Sequence, residues 1–287
     1  MPRTIDEGFR DFLADLTPSS TETEAAKSHR ASIEQCLKNN FSLLRFWRIG
    51  SFGNGTSISG YSDTDYMASL GDLSANSNYS LQKIKNALAV RFPRTGVTVR
   101  CPAVKVPFGS LAKETTEVVP GDLTSTTPYH VYDIPDCKGG WMKTSPDAHN
   151  AYVRKINEQH SLKVKPLIRF IKAWKYYQAV PISSFYLEMR VAKYCEGEST
   201  IFYHLDIEYF LSRLLNANLP SLQDPAGISG YIRPCSSQAD FTETLSKLET
   251  AVTRARNANA AKNKEDIKAA FEWWDKLYAY KFPSYYR

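Results

Sequence analysis

The sequence lacks any uninterrupted apolar run near the roughly 18 residues a membrane span requires. Its opening stretch, MPRTIDEGFRDF, carries acids and no apolar core of a secretory signal. Cysteine is sparse: Cys36, Cys101, Cys137, Cys195 and Cys235 stand far apart, odd in number, with no CxxC or Cys/His pairing. That usage argues for a reducing cytosol and against a zinc site or a disulfide framework. A strong charge imbalance is lacking too. The 36 Lys+Arg against 30 Asp+Glu leave a net +6, which suits an anionic ligand without the basic stripe expected for a nucleic-acid duplex. There is no internal repeat, and the only biased stretch is Ala260–Glu265 (AAKNKE), read as a solvated helix connection. What is present is 43% hydrophobic residues over 287 positions. This excludes wholesale disorder and suffices for one large domain or two modest ones with a real core.

Two patterns divide the chain. Short β-type runs broken by Gly, Pro, Ser and Asn occur at Leu43–Ile49, Thr64–Leu70, Val97–Cys101, Ala103–Pro107, Thr115–Val119 and His130–Ile134. A long helix over Ser20–Asn40 precedes them, with Ile33 and Leu37 one turn apart, and a second helix over Ser80–Arg91 interrupts them. From about Ser145 the spacing predicts helices over 145–159, 161–178, 183–196, 200–216, 237–257 and 264–280. The expectation is therefore α+β: a mixed core over 1–144, then a helical lobe over 145–287, the two sharing a cleft.

The sharpest motif is GSFGNGTSISGYSDTDY at Gly50–Tyr66. A β-run ends at Gly50-Ser51, a loop of small residues follows, and Asp63-Thr64-Asp65 opens the next run. Small residues let backbone N–H groups and the Ser51 hydroxyl approach phosphate oxygens. On a strand, residues i and i+2 share a face, so Asp63 and Asp65 present paired carboxylates. Such hard oxygen ligands suit Mg²⁺ together with phosphate oxygens. A metal site of this kind wants a third carboxylate from a neighbouring strand. Glu117, inside a short β-run, is the first candidate; Asp122, just after the Pro120-Gly121 turn signal and expected outside the strand, is the second.

In the helical half, Lys163 to Lys175 places five basic residues on a helix with an apolar face of Leu167, Ile168, Ile171 and Trp174. Arg169 and Lys172 are i, i+3 neighbours able to hold a triphosphate tail. Ser183 and Ser184 then open another helix, where hydroxyls bind phosphate readily, and Phe185 or Tyr186 offers a ring to stack on a base.

The order of GS, DxD, third acid, LIRFIKAWK and SSFYLE resembles the nucleotidyltransferases that include oligoadenylate synthetase and cyclic GMP–AMP synthase. The stretches TEVVPGD, YDIPDCKGGWMKTSPDAHNAYV and KVKPLIRFIKAWKYYQAVPISSFYLEMRVAKY resemble in particular their bacterial relatives, the cGAS/DncV-like nucleotidyltransferases (CD-NTases) of anti-phage signalling. The resemblance implies a polymerase-beta-like core with an N-terminal spine helix and a C-terminal helical lobe. It implies that Gly50 and Ser51 hold the donor triphosphate, and that Asp63 and Asp65 bind two Mg²⁺ ions, or Mn²⁺, with Glu117 completing the triad. Lys172 with Ser184 contacts the phosphate tail, and Phe185 stacks on the donor base. Arg169 and Lys175 are weaker matches, and Glu117 stands where many members of the superfamily carry Asp.

The implied activity is synthesis of a cyclic di- or trinucleotide from nucleoside triphosphates with release of pyrophosphate. The product would act on a separate effector protein, and the enzyme would be a cytoplasmic monomer with no membrane partner. No Cys/His cluster matches the zinc insertion by which the animal enzyme grips DNA, so activation by duplex nucleic acid is not expected. Two other readings stay open: a nucleotidyltransferase that modifies RNA ends or protein, and a nucleotide sensor without turnover.

Overall fold

The computed structural model describes residues 1–61, 63–109 and 114–286, and their side chains except those of 20–26 and 114. The chain forms two compact units. One comprises residues 18–151 with 226–229; the other comprises residues 1–17, 152–225 and 230–287.

The first unit is built on a seven-stranded mixed sheet. Its elements are α2 (Ser20–Asn40), β1 (Leu43–Arg48), α3 (Gly50–Asn54), β2 (Thr64–Leu70), α4 (Ser77–Arg91), β3 (Thr98–Arg100), β4 (Ala103–Phe108), β5 (Glu114–Ser125), β6 (Val131–Pro135) and β7 (Trp141–Thr144). The order runs β1-β2-β5-β4-β3, with β6 on the far half of β5 and β7 beyond it. Among the described residues only β2 and β5 pair in parallel, in the register Asp65↔Glu117 and Met67↔Val119. Alternation along these strands gives the sheet two different faces. Phe46, Tyr66, Ala68, Leu70, Val104, Val106 and Val118 point to one face, where they bury Ile33 and Leu37 of α2 and Leu81, Ile84 and Leu88 of α4. Each Val, Leu, Ile or Phe among them, fully buried, contributes about 1.5–3 kcal/mol. The helix α4 starts where Asn76 caps it, its side chain accepting from the Asn78 and Tyr79 amides. The other face carries Ile49, Met67, Val119 and Tyr132, with Trp47 packed beside them.

Three expectations are corrected in this unit. The Pro120-Gly121 pair does not end its strand, because β5 runs on to Ser125. Pairing of β5 with β4 stops at Val118 and pairing with β6 starts at Asp122, so Pro120, which has no N–H to donate, sits between two antiparallel partners. Asp122 therefore lies inside the strand, but at an even position, on the face opposite Glu117. The loop expected from Gly50 begins as the short helix α3. Finally, Cys101 and Cys137 form a disulfide, with Cα atoms 5.6 Å apart. Their 36-residue separation hid this, yet β4 and β6 both lie against β5, which brings the β3–β4 and β6–β7 turns together. Cys36, Cys195 and Cys235 remain free thiols.

The second unit is helical: α1 (Ile5–Leu16), α6 (Val164–Tyr177), α7 (Ser184–Cys195), α8 (Tyr203–Asn216), α9 (Gln238–Asn263) and α10 (Ile267–Leu277), with a small hairpin of β8 (Leu222–Gln223) and β9 (Tyr231–Ile232). The helix α5 (Pro146–Gln159) carries the chain from the sheet unit into this one. Residues 1–17 belong here, not with the sheet, which corrects the expected 1–144 and 145–287 division. The reason is aromatic packing. Phe9 meets Phe170 and Trp274 with ring centroids 5.1 Å away in each case, and Phe12 meets Tyr278 at 4.6 Å. α1 starts in a capping box between Thr4 and Glu7. α9 extends through Asn263, so most of Ala260–Glu265 is helix, not connection. Among the described residues no helix is long and apolar enough to cross a membrane.

Candidate active site

The sheet face that carries Met67 and Val119 also carries the acids. Asp65 is two residues before Met67 and Glu117 two before Val119, and parallel pairing sets Asp65 directly beside Glu117. Asp63 immediately precedes β2, one i, i+2 step from Asp65. The register brings a fourth charged residue into the same row, because Lys105 of β4 lies across from Glu117. Arg100 of β3 pairs with Ala103, so it shares the face of Lys105. Lys105 Nζ is 4.0 Å from Asp63 Oδ2, and an Arg100 guanidinium nitrogen is 3.8 Å from Glu117 Oε1. Burial and then the negative charge of Asp63 raise the Glu117 carboxyl above its ordinary range, while Arg100 and Lys105 pull it back. The sequence reading missed Arg100 and Lys105. Their signal was the alternation in TVR and AVKVPF, which puts both basic residues on one face of a hairpin.

Gly50 is the residue that lets the preceding turn approach this row. Its φ is +59°, and a Cβ built on it would lie 2.1 Å from Asp65 Oδ2. Any side chain would therefore collide with the carboxylate, so glycine is required on both conformational and steric grounds. The Ile49 amide donates to the Asp65 carbonyl at 2.9 Å, which ties the turn to β2. Ser51 follows inside α3, where its carbonyl accepts from the Thr56 amide.

Among the described residues no three His, Cys, Asp or Glu side chains converge as a ready-made metal cage. The donor set nevertheless fits Mg²⁺. It is all oxygen, it is concentrated on one sheet face, and Glu117 and Asp63 oppose each other electrostatically in a way that a cation would relieve. Asp63, Asp65 and Glu117 are the residues that would hold it.

In the helical unit α6 and α7 pack antiparallel, so one turn forward on α6 meets one turn back on α7. Lys172 is fully buried, and its Nζ donates to Glu188 Oε1 at 2.7 Å. Lys175 instead donates to the Ser184 hydroxyl, and the Tyr176 hydroxyl lies 3.2 Å from that same oxygen. Of the two lysines it is therefore Lys175 that meets Ser184, while Lys172 is paired with Glu188 in the interior. Arg169 has a different neighbour from Lys172 and Lys175. Its guanidinium donates to the Thr17 hydroxyl at 3.2 Å. Ser183 caps α7 by accepting from the Tyr186 amide. Tyr186 is buried and donates to the Pro220 carbonyl at 2.7 Å, whereas Phe185 is 38% exposed. Of the two rings, Phe185 is the one open to a ligand.

Residues 3–157 match the model of the Second Messenger Oligonucleotide or Dinucleotide Synthetase (SMODS) domain. A probable cyclic nucleotide synthase of Bacillus cereus (strain VD146) is 28% identical, over 81% of this chain and 75% of its own length. The cyclic AMP-AMP-AMP synthase of Acinetobacter sp. (strain ATCC 27244 / 9458) is 25% identical, over 98% of this chain and 86% of its own. The structure of E. coli MS115-1 CdnC with ATP is similar at a TM-score of 0.75 and 18% identity, covering 97% of this chain and 98% of that one. The Bradyrhizobium diazoefficiens CD-NTase CdnG with GTP follows at 0.74 and 12%, covering 96% of each. These structural likenesses bear on the fold alone. The family match spans over half of the chain and takes in Gly50, Ser51, Asp63, Asp65 and Glu117, and it bears out the resemblance to the bacterial CD-NTases: the protein belongs to the SMODS family.

Proposed function

We propose that the protein joins nucleoside triphosphates into a cyclic di- or trinucleotide, with release of pyrophosphate. The observation that carries this reading is the cross-strand pair of Asp65 and Glu117 beside Asp63, with Gly50 holding the turn against it. Support also comes from the family and from the names of the two synthases related to this chain.

In this reading a ribose hydroxyl of the acceptor attacks the α-phosphorus of the donor. The new P–O bond forms, the bond to the β-phosphate breaks, pyrophosphate leaves, and the hydroxyl proton passes to solvent. A second round within the linear intermediate closes the ring. Asp63, Asp65 and Glu117 are the residues that would hold two divalent ions, Mg²⁺ or in its place Mn²⁺, which when bound would supply Lewis-acid stabilisation of charge on the phosphate oxygens. Gly50 and Ser51 line the approach of the donor triphosphate, and the absence of a side chain at Gly50 keeps the Asp65 carboxylate accessible. Lys175 and Ser184 contact the phosphate tail, Phe185 stacks on the donor base, and the Lys172–Glu188 pair fixes the spacing of α6 and α7 beneath them. Catalysis of this kind is mainly positioning and charge stabilisation. The product signals to a separate effector protein in anti-phage defence. The enzyme acts as a cytoplasmic monomer without a duplex activator.

The test is incubation of the purified protein with Mg²⁺ and the four labelled triphosphates, followed by phosphatase and mass spectrometry. A phosphatase-resistant small product with stoichiometric pyrophosphate is expected, and Asp63→Asn and Asp65→Asn should abolish it while circular dichroism stays unchanged. A labelled RNA or protein instead of a small product would mean end modification. Triphosphate binding without pyrophosphate would mean a sensor, and either outcome would sink the proposal.

A further inference from the structure

The two cations on the carboxylate face are not ordinary surface charges. Lys105 lies between Val104 and Val106, both fully buried, on an inner strand of the sheet, and its side chain is only 25% exposed. Strand register, not side-chain reach, places it across from Glu117, which in turn lies beside Asp65. From there its Nζ approaches Asp63 Oδ2 at 4.0 Å, and Arg100 approaches Glu117 Oε1 at 3.8 Å from the next strand. Three carboxylates thus face two cations, on a sheet face where the acids alone would repel one another.

We propose that Lys105, seconded by Arg100, is a positioning residue: a counter-ion that occupies the electrostatic place of a divalent metal among Asp63, Asp65 and Glu117 and is displaced when the metal enters. The proposal rests on the metal reading above. Its consequence is coupling between metal and nucleotide. A divalent ion arriving alone must overcome two positive charges. One arriving with a triphosphate brings negative charge with it, and the displaced Lys105 ammonium then finds phosphate oxygens in place of carboxylates.

The experiment measures Mn²⁺ binding without nucleotide, by the loss of the free-ion electron paramagnetic resonance signal. Wild type, Lys105→Met, Lys105→Arg and Arg100→Met are compared, each checked for folding by circular dichroism and by thermal unfolding in EDTA. Removing one unit charge that faces a divalent ion should tighten Mn²⁺ binding about three- to tenfold at low salt, and less at high salt. Lys105→Arg should keep wild-type affinity, and a saturating non-hydrolysable triphosphate should narrow the gap between Lys105→Met and wild type. A purely structural lysine would instead give lower thermal stability with unchanged or weaker Mn²⁺ binding, and that result overturns the proposal. Arg100 is 68% exposed, so Arg100→Met keeps the question decidable if Lys105→Met fails to fold; its expected effect is a tightening of about two- to threefold. Wild type that binds no Mn²⁺ either alone or with the saturating triphosphate overturns the metal reading itself. Wild type that binds, with both Met variants unchanged, overturns only the counter-ion role.

Discussion

Glu188→Ala removes the carboxylate that meets the Lys172 ammonium in the interior of the helical unit. Lys172 has no exposed surface, Glu188 is 4% exposed, and the pair is linked at 2.7 Å. Removing one partner of such a pair leaves a desolvated charge without its carboxylate, at a cost of about 3–5 kcal/mol. For a unit of this size each kcal/mol moves the melting midpoint by about 2–4 °C, so a fall of roughly 6–20 °C is expected. The assay is urea and thermal unfolding followed by far-ultraviolet circular dichroism, with the linear extrapolation slope checked for constancy. The double variant Lys172→Met with Glu188→Leu fills the same space with apolar groups. It should recover to within about 1–2 kcal/mol of the parent, because a desolvated ion pair is no more stabilising than good apolar packing. It also decides what Lys172 does: a refolded double variant that binds triphosphate with parental affinity confines Lys172 to the interior. A loss below about 1 kcal/mol for Glu188→Ala, or a double variant as damaged as the sum of its single changes, would refute the reasoning.

Gly50→Ala should abolish turnover by at least about a hundredfold with modest loss of stability. A left-handed backbone costs a non-glycine residue about 1–2 kcal/mol, and the added Cβ displaces the Asp65 carboxylate it would otherwise touch; parental steady-state rates in Gly50→Ala would contradict this. Burial pushes the Tyr186 phenol up to about 12. The unfolded chain ionises near pH ~10 while the fold keeps the proton, so stability is whole below that pH and falls by up to about 3 kcal/mol on approaching pH ~12. Urea midpoints from pH 9 to 12 should fall less steeply in Tyr186→Phe than in the parent, the remaining slope coming from the other buried phenols, Tyr203 among them. Denaturing alkylation of protein purified under air should modify three thiols, the free Cys36, Cys195 and Cys235, and two more after reduction. Five modified thiols before reduction would exclude the Cys101–Cys137 bond.

Much of β2 was legible because its signals are local. Asp63-Thr64-Asp65 opens a run whose alternation is dictated by its own neighbours, and β2 falls on the expected Thr64–Leu70. Glu117 was legible as a residue but its placement was not, since β2 and β5 pair across some fifty residues and nothing local sets that register. Pro120-Gly121 misled because a proline in mid-strand is tolerated only where partners change, a tertiary fact. Lys172 and Lys175 differ by one helical step, so which of them reaches Ser184 depends on how α6 rotates against α7. The first helix was missed although its signals are local: Thr4 and Glu7 form a capping box, and Ile5, Phe9, Phe12 and Leu16 recur at helical spacing.

The discontinuity of the helical unit has a consequence for the order in which the chain can fold as it is made. Phe9 and Phe12 belong to a core whose other rings include Trp274, Tyr278 and Phe282. At about 5–20 residues per second, their partners emerge tens of seconds after them. For the later half of that interval the seven strands of the sheet, which lie between Leu43 and Thr144, are already free to pair, whereas the apolar stripe of α1 has at most partners such as Phe170 and Tyr177 to cover it and still lacks Trp274, Tyr278 and Phe282. The nascent chain thus acquires the sheet face that carries Asp65 and Glu117 before it can complete its helical core, and α1 is the apolar segment that waits longest for its partners.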